Sequence, residues 1–209
     1  ITKHMASKVN EIVAGKYDHK GESVVYGDTD SVYFSAYKTL QKEINEGLIP
    51  WTKDSVLGLY DKIAEEVNGS FKSFMTRAFH TPSTRGEVIA AGRELVASKG
   101  LFITKKRYAV LYYDKEGKRA DVEGKDGKMK AMGLDLKRSD TPVFVQDFLS
   151  DLLYMVLQGK EEKEVLKKIS EFRSEFKARP GWEKGSPKRA NNMTKYTAAE
   201  EKAGRANMP

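Results

Sequence analysis

The stretch VVYGDTDSVYF, residues 24–34, sets β-branched and aromatic residues on either side of Asp28, Thr29 and Asp30. Apolar runs of this kind favour extended backbone and Asp favours turns. The stretch therefore predicts two strands, 22–27 and 31–37, joined as an antiparallel hairpin. Two carboxylates at i and i+2 near such a tip can point to one side. Like charges held together repel, and a divalent cation removes the conflict. Hard oxygen ligands suit magnesium. With one more carboxylate the pair could hold two metals ~4 Å apart, the arrangement that serves in-line phosphoryl transfer. The plainer reading of D-x-D is a β-turn that uses Asp for local hydrogen bonds, but the apolar flanks here are unlike those of a solvated turn.

The rest of the chain sets bounds on that reading. Its 209 residues suit one domain or one and a half. Lys and Arg outnumber Asp and Glu by 37 to 30, a net charge of +7. Such a balance favours a polyanionic partner without requiring one. There is no cysteine, which excludes disulfides and thiolate metal sites and fits a reducing compartment. His4, His19 and His80 are too scattered for a zinc site. No apolar run approaches the ~18 residues of a membrane span, and no signal peptide is recognisable. The chain opens at Ile1 in a helical pattern and stops at Pro209 after a polar stretch, so it reads as a piece of a longer protein.

Ile1, Met5, Val9 and Ile12 recur at helical spacing and predict a helix over 1–14. A longer one is predicted over 53–80, with Val56, Tyr60, Ile63, Val67, Phe71, Phe74 and Ala78 on its apolar face. Residues 85–97 read as a strand with Gly86 and Gly92 as bulges, and 101–114 as another. A turn at 114–118 precedes a return strand, and 129–137 resumes alternation. Thr141 and Pro142 open a helix with Val145, Phe148, Leu149, Leu152, Leu153 and Val156 on its apolar face. A further helix over 161–177 is expected to bury Val165, Leu166, Ile169, Phe172 and Phe176. Helices and strands mix without strict alternation, so the expected class is α+β, an antiparallel sheet on long helices.

The hexapeptide Tyr26-Gly27-Asp28-Thr29-Asp30-Ser31 resembles the third polymerase motif of family B DNA polymerases, which caps the palm hairpin. TKKRYAV at 104–110 is similar to the basic segment that follows it in that family. MKAMGLDLKRSDTP at 129–142 is similar to the next block, and RANNMTKY at 189–196 to the passage from palm to thumb in the T-even phage type. The resemblance implies that residues 1–178 are the C-terminal part of a palm and 179–209 a polar segment leading to a thumb. It also implies a DNA-directed DNA polymerase that uses two Mg2+ ions, primer–template DNA and deoxynucleoside triphosphates in the cytoplasm of an infected bacterium. The remaining polymerase segments, or a second polymerase subunit, would be partners, and a sliding clamp would bind through regions outside this chain.

On that resemblance Asp28 and Asp30 are the catalytic metal ligands, and Glu87 is the best match for a further palm carboxylate. Gly27 lets backbone approach closely, and Thr29 and Ser31 would touch the primer end. Lys105, Lys106, Arg107 and Tyr108 would meet the duplex. In one continuous strand Lys106 and Tyr108 would share the face turned to the minor groove. Lys130, Gly133 and Arg138 would hold the backbone upstream, and Asn191, Asn192 and Lys195 lie further along the path. Arg138 pairing with Asp140 and a solvated basic edge strand at 104–108 are the bland alternatives. The family's D-x-x-S-L-Y-P-S and K-x₃-N-S-x-Y-G segments are absent, as are an exonuclease carboxylate cluster, a P-loop and G-x-G-x-x-G. The chain thus carries half of a metal site. A non-catalytic DNA-binding module with a palm-like fold is the alternative function.

Overall fold

A computed structural model describes residues 1–122 and 124–185 of the chain, so Asn191, Asn192 and Lys195 lie outside the described residues. There are two compact units, one of residues 1–106 and 110–130, the other of 107–109 and the chain from 131 on. Helices mix with antiparallel strands, and the class is α+β.

The first unit begins with α1 (Thr2–Ala14), the hairpin strands β1 (Val24–Gly27) and β2 (Val32–Phe34), a short α2 (Gln41–Asn45) and the long α3 (Lys53–Phe79). Thr52 caps α3: its hydroxyl accepts from the Ser55 N–H at 3.2 Å, and the Ser55 hydroxyl accepts from the Thr52 N–H at 2.9 Å. Val56, Ile63, Val67 and Phe71 form the buried stripe of α3. Val9 of α1 packs with the last three, and Met5, Ile12, Phe34 and Tyr60 close around them. Each such side chain contributes roughly 1.5–3 kcal/mol by leaving water. Ile1, at the start of the expected stripe, is exposed.

Helix α1 also buries polar groups. The Asn10 carboxamide oxygen accepts from the Ser23 N–H at 3.2 Å and the Ser23 hydroxyl at 2.7 Å, and its NH2 donates to the Lys16 carbonyl at 2.7 Å. It thereby holds the loop that delivers β1. The Ser70 hydroxyl donates to the Val67 carbonyl at 2.6 Å, so its oxygen accepts from His4 Nε2–H at 2.9 Å. That leaves His4 Nδ1 to accept from the Tyr17 hydroxyl at 2.7 Å. Phe74 stacks on the imidazole at 3.8 Å. Burial holds His4 below the usual histidine range, helped by the terminal amine, Lys8 and Arg77 and opposed by Glu11.

Two strand expectations are corrected. Residues 83–86 form α4 (Ser83–Gly86), and 87–94 are irregular before β3 (Leu95–Thr104). Gly86 marks close helix contact instead of a bulge, since a Cβ there would meet the Lys72 Cα at 2.7 Å. The predicted strand over 101–114 is a hairpin: β3 reverses at Lys105 and Lys106 into β4 (Arg107–Lys115). Lys106 turns the chain with a left-handed φ of 62°. Lys106 and Tyr108 therefore do not alternate along one strand. β4 also pairs with β5 (Lys118–Arg119) and β6 (Lys128–Met132). Arg93 bridges Asp61 of α3 and the buried Asp114 of β4.

In the second unit, a 3₁₀ turn (Asp135–Lys137) leads to α5 (Val143–Gln158), α6 (Glu162–Ala178) and α7 (Gly181–Lys184). Pro142 occupies the N-cap position of α5, one place before the first helical position. Phe148 stacks on Phe172 at 3.7 Å, and Phe144 lies 5.8 Å from Phe172 and from Phe176. The expected burial of the α6 stripe is corrected. No α6 residue is buried among the described residues, Leu166 is 54% exposed, and in α5 only Leu157 is buried. Two helices that meet along one aromatic seam have too little neighbouring surface to cover both stripes.

Replacing Asn10 by Ala strands the buried Ser23 N–H and should lower stability by about 1–3 kcal/mol, read by denaturant unfolding. His4 gives a second expectation. Its folded pKa lies below the unfolded value, so its contribution is full above pH ~6.5 and is lost as pH falls below that. Between about pH 7 and 5 the wild-type melting temperature should fall further than that of His4→Gln.

Candidate functional site

Across the hairpin Val24 faces Phe34, Tyr26 faces Tyr33 and Gly27 faces Val32, with Val25 the extra residue of a bulge. The Asp28 N–H donates to the Ser31 carbonyl at 3.0 Å and closes the tip. Three elements hold this hairpin. The Phe34 ring lies 5.2 Å from Tyr60 of α3. Tyr26 and Tyr33 lie 5.7 and 5.4 Å from Phe102 of β3. The Thr2 hydroxyl of α1 donates to the Thr29 carbonyl at 2.7 Å, on the turn itself.

Asp28 is half-buried, with long contacts from the Tyr26 hydroxyl at 3.3 Å and the Thr29 hydroxyl at 3.4 Å. Asp30 is exposed, and among the described residues it has no hydrogen bond or ion pair. Neither carboxylate is paired with a Lys or Arg among the described residues, although the chain is basic. Two carboxylates on one turn, two residues apart and without a cationic partner among the described residues, fit a divalent cation in kind. Magnesium commonly takes one or two carboxylates and completes its shell with water and phosphate oxygens. Among the described residues no three His, Asp or Glu side chains gather as a metal-binding group. Glu87 is not brought to the pair; its carboxylate accepts from Lys72 Nζ at 2.6 Å, with both side chains exposed. A Cβ at Gly27 would meet only the Ser31 carbonyl, at 3.6 Å, so the chain itself does not crowd this position.

The basic segment comes to the same place. Lys105, Lys106 and Arg107 are exposed at the β3–β4 reversal. The Lys106 N–H donates to the Tyr26 hydroxyl at 2.8 Å, which joins motifs 80 residues apart. Tyr108 is 5% exposed, so it offers little surface to a ligand. Lys130 is held by Glu94 at 2.6 Å. Arg138 grips Asp140 through two nitrogens at 2.9 and 2.7 Å. Gly133 is exposed with φ of 65°, a left-handed turn that by itself accounts for a glycine. Thr29 is exposed and Ser31 half-buried.

Beside the hairpin a cleft of about 730 Å³ opens in the first unit, with Asp30, Phe34, Ile63, Phe71, Ala91 and Val96 among its lining residues. Sequence reasoning left the role of Tyr26 open and passed over Thr2. Tyr26 had a readable signal, since its side chain precedes Asp28 by one strand repeat and shares its side. Thr2 had none, because its partner is a backbone carbonyl.

The family model for DNA polymerase family B matches residues 86–191, just over half of the chain. The chain is 34% identical to the DNA-directed DNA polymerase of Escherichia phage RB69 over 74% of its own length and 18% of the relative's. It is 28% identical to the DNA-directed DNA polymerase of Enterobacteria phage T4 over 92% of its length, a span that must include the hairpin, and 22% of the relative's. With the DNA polymerase alpha catalytic subunit of Oxytricha trifallax it shares 27% identity over 75% of its length and 8% of the relative's. The chain thus spans about a fifth of the length of the phage relatives. No helix among the described residues is long and apolar enough to cross a membrane.

Manganese, a paramagnetic stand-in for magnesium, should broaden the amide NMR signals of residues 27–31 ahead of all others. Asp30→Asn should remove most of that selective broadening.

Proposed function

The chain belongs to DNA polymerase family B, and we propose on that basis that it is the C-terminal palm part of a polymerase that extends a primer 3′ end. Asp28 and Asp30 are its contribution to a magnesium site. The observation that carries this reading is the junction of the acidic tip with the basic turn through Tyr26 and Lys106. A polymerase needs carboxylates for cations and cations for phosphates within one nucleotide's reach, and two motifs far apart in sequence meet here.

Bound at the tip, two magnesium ions would supply activation of the primer hydroxyl and neutralisation of the triphosphate. The residues of this chain do the rest. Asp28 and Asp30 present hard oxygens, with Asp28 oriented by Tyr26 and Thr29. Gly27, Thr29 and Ser31 line the approach of the primer end. Lys105 and Lys106 neutralise duplex phosphates beside the tip, and Arg107, next in the chain, adds a further cation for the duplex. Lys130 and Arg138 hold the backbone upstream by exchanging Glu94 and Asp140 for phosphate, an exchange that exposed pairs make at little cost. By the family resemblance Gly133 would serve the same backbone, as would Asn191, Asn192 and Lys195, which lie outside the described residues.

The two carboxylates are an incomplete donor set for two metals. The cleft beside Asp30, with its apolar walls, supports a site completed by other polymerase segments, on the same chain or on a second subunit. The enzyme would work in the cytoplasm of an infected bacterium.

Alone, the chain should incorporate no nucleotide on a primed template with magnesium. Mixed with a separately expressed upstream part of a relative, it should restore primer extension, and Asp30→Asn should lower that activity at least about a thousandfold. Duplex binding that is indifferent to magnesium and to Asp30→Asn would favour the non-catalytic module instead.

A further inference from the structure

We infer that Tyr26 is a positioning residue that couples the basic turn to the aspartate tip, an inference that rests on the reading of Asp28 and Asp30 as metal ligands. The Tyr26 oxygen accepts from the Lys106 N–H at 2.8 Å, which leaves its proton directed to Asp28 Oδ2 at 3.3 Å. One hydroxyl thus links the backbone of the basic turn to a carboxylate of the acidic one. Its ring is set between Tyr33 at 6.0 Å and Phe102 at 5.7 Å, so the hydroxyl is presented from a packed base. At the other end Lys106 holds φ of 62°, a conformation that L side chains adopt at a cost. The acceptor on Tyr26 engages the N–H of that residue and holds the turn in place.

Lys105 and Lys106 are exposed and Asp28 is half-buried, so the linked groups reach outward from both ends. A duplex drawn onto the lysines and a cation drawn onto the carboxylates attract each other. How strongly they do so depends on the fixed distance between their sites. The geometry assigns that distance to Tyr26. Binding linkage is reciprocal, so the gain in duplex affinity on adding metal equals the gain in metal affinity on adding duplex.

The test uses the 209-residue chain and a labelled primer–template duplex, titrated with and without magnesium. In the wild type magnesium should tighten duplex binding at least about fivefold. Tyr26→Phe keeps the ring and removes the hydroxyl. It should cut that gain, taken as the ratio of affinities with and without magnesium, to less than half. Tyr33→Phe, which removes a hydroxyl from the facing ring, should leave the gain as in the wild type. An equal gain in Tyr26→Phe, or an equal loss in Tyr33→Phe, overturns the coupling. So does slow amide exchange at Lys106 that Tyr26→Phe fails to accelerate, or an unprotected Lys106 amide in the wild type, a measurement that stands even if Tyr26→Phe does not fold. A wild type without any magnesium gain also overturns it. Manganese broadening at Asp28 and Asp30 then tells which reading fell: if present, only the role of Tyr26 is lost, and if absent, the metal reading goes with it.

Discussion

Phe71 is fully buried in α3, and with Ile63 and Val67 it packs against Val9 of α1. This apolar contact orients much of the first unit. With α1 seated on α3, Asn10 faces the loop that enters β1, and Thr2 reaches the tip of the hairpin. Further along α3, Tyr60 meets Phe34 of β2, and Asp61 meets Arg93 ahead of β3. A helix of 27 residues gives every element that touches the aspartate turn a common reference line. Truncating Phe71 would open a cavity under that line and loosen both partners together.

Charge is distributed unevenly over this frame. Several acidic groups lie in pairs or clusters with Lys or Arg, such as Asp121 between Lys53 and Arg119. Those partners hold the Asp121 carboxyl well below the usual carboxylate range. Asp28 and Asp30 have no such partner among the described residues. The contrast is physical: a carboxylate already held by a guanidinium has little to gain from a metal, and one left to water has much to gain.

Long periodic stretches were legible in the sequence. Helices α1, α3, α5 and α6 follow apolar spacing, and the hairpin around Asp28 follows the alternation of its flanks. The reversal at Lys105 and Lys106 was not legible, since neither residue is a usual turn former and the left-handed φ of Lys106 leaves no mark in composition. Residues 87–94 carried strand-like residues but pair with nothing as a strand. The buried His4, Ser7 and Asn10 were missed for a related reason: a search for apolar spacing passes over polar residues that recur every third position on the same helix. Of the candidate site, the two aspartates and the exposed Lys105, Lys106 and Arg107 were readable as types. Their meeting through Tyr26 was not, because it depends on how β3 returns past the hairpin.

The open cleft beside the hairpin has a thermodynamic consequence. Its walls include Ile1, Val25, Tyr33, Ile89 and Phe102, all at least partly exposed, so this apolar surface already meets water in the folded state. Such surface adds nothing to the heat-capacity increment of unfolding, nor to the dependence of stability on denaturant. A segment that filled the cleft would add to both. Calorimetric cooperativity around the cleft would then belong to the assembly that fills it, and the chain measured alone would melt with a smaller increment than its length suggests.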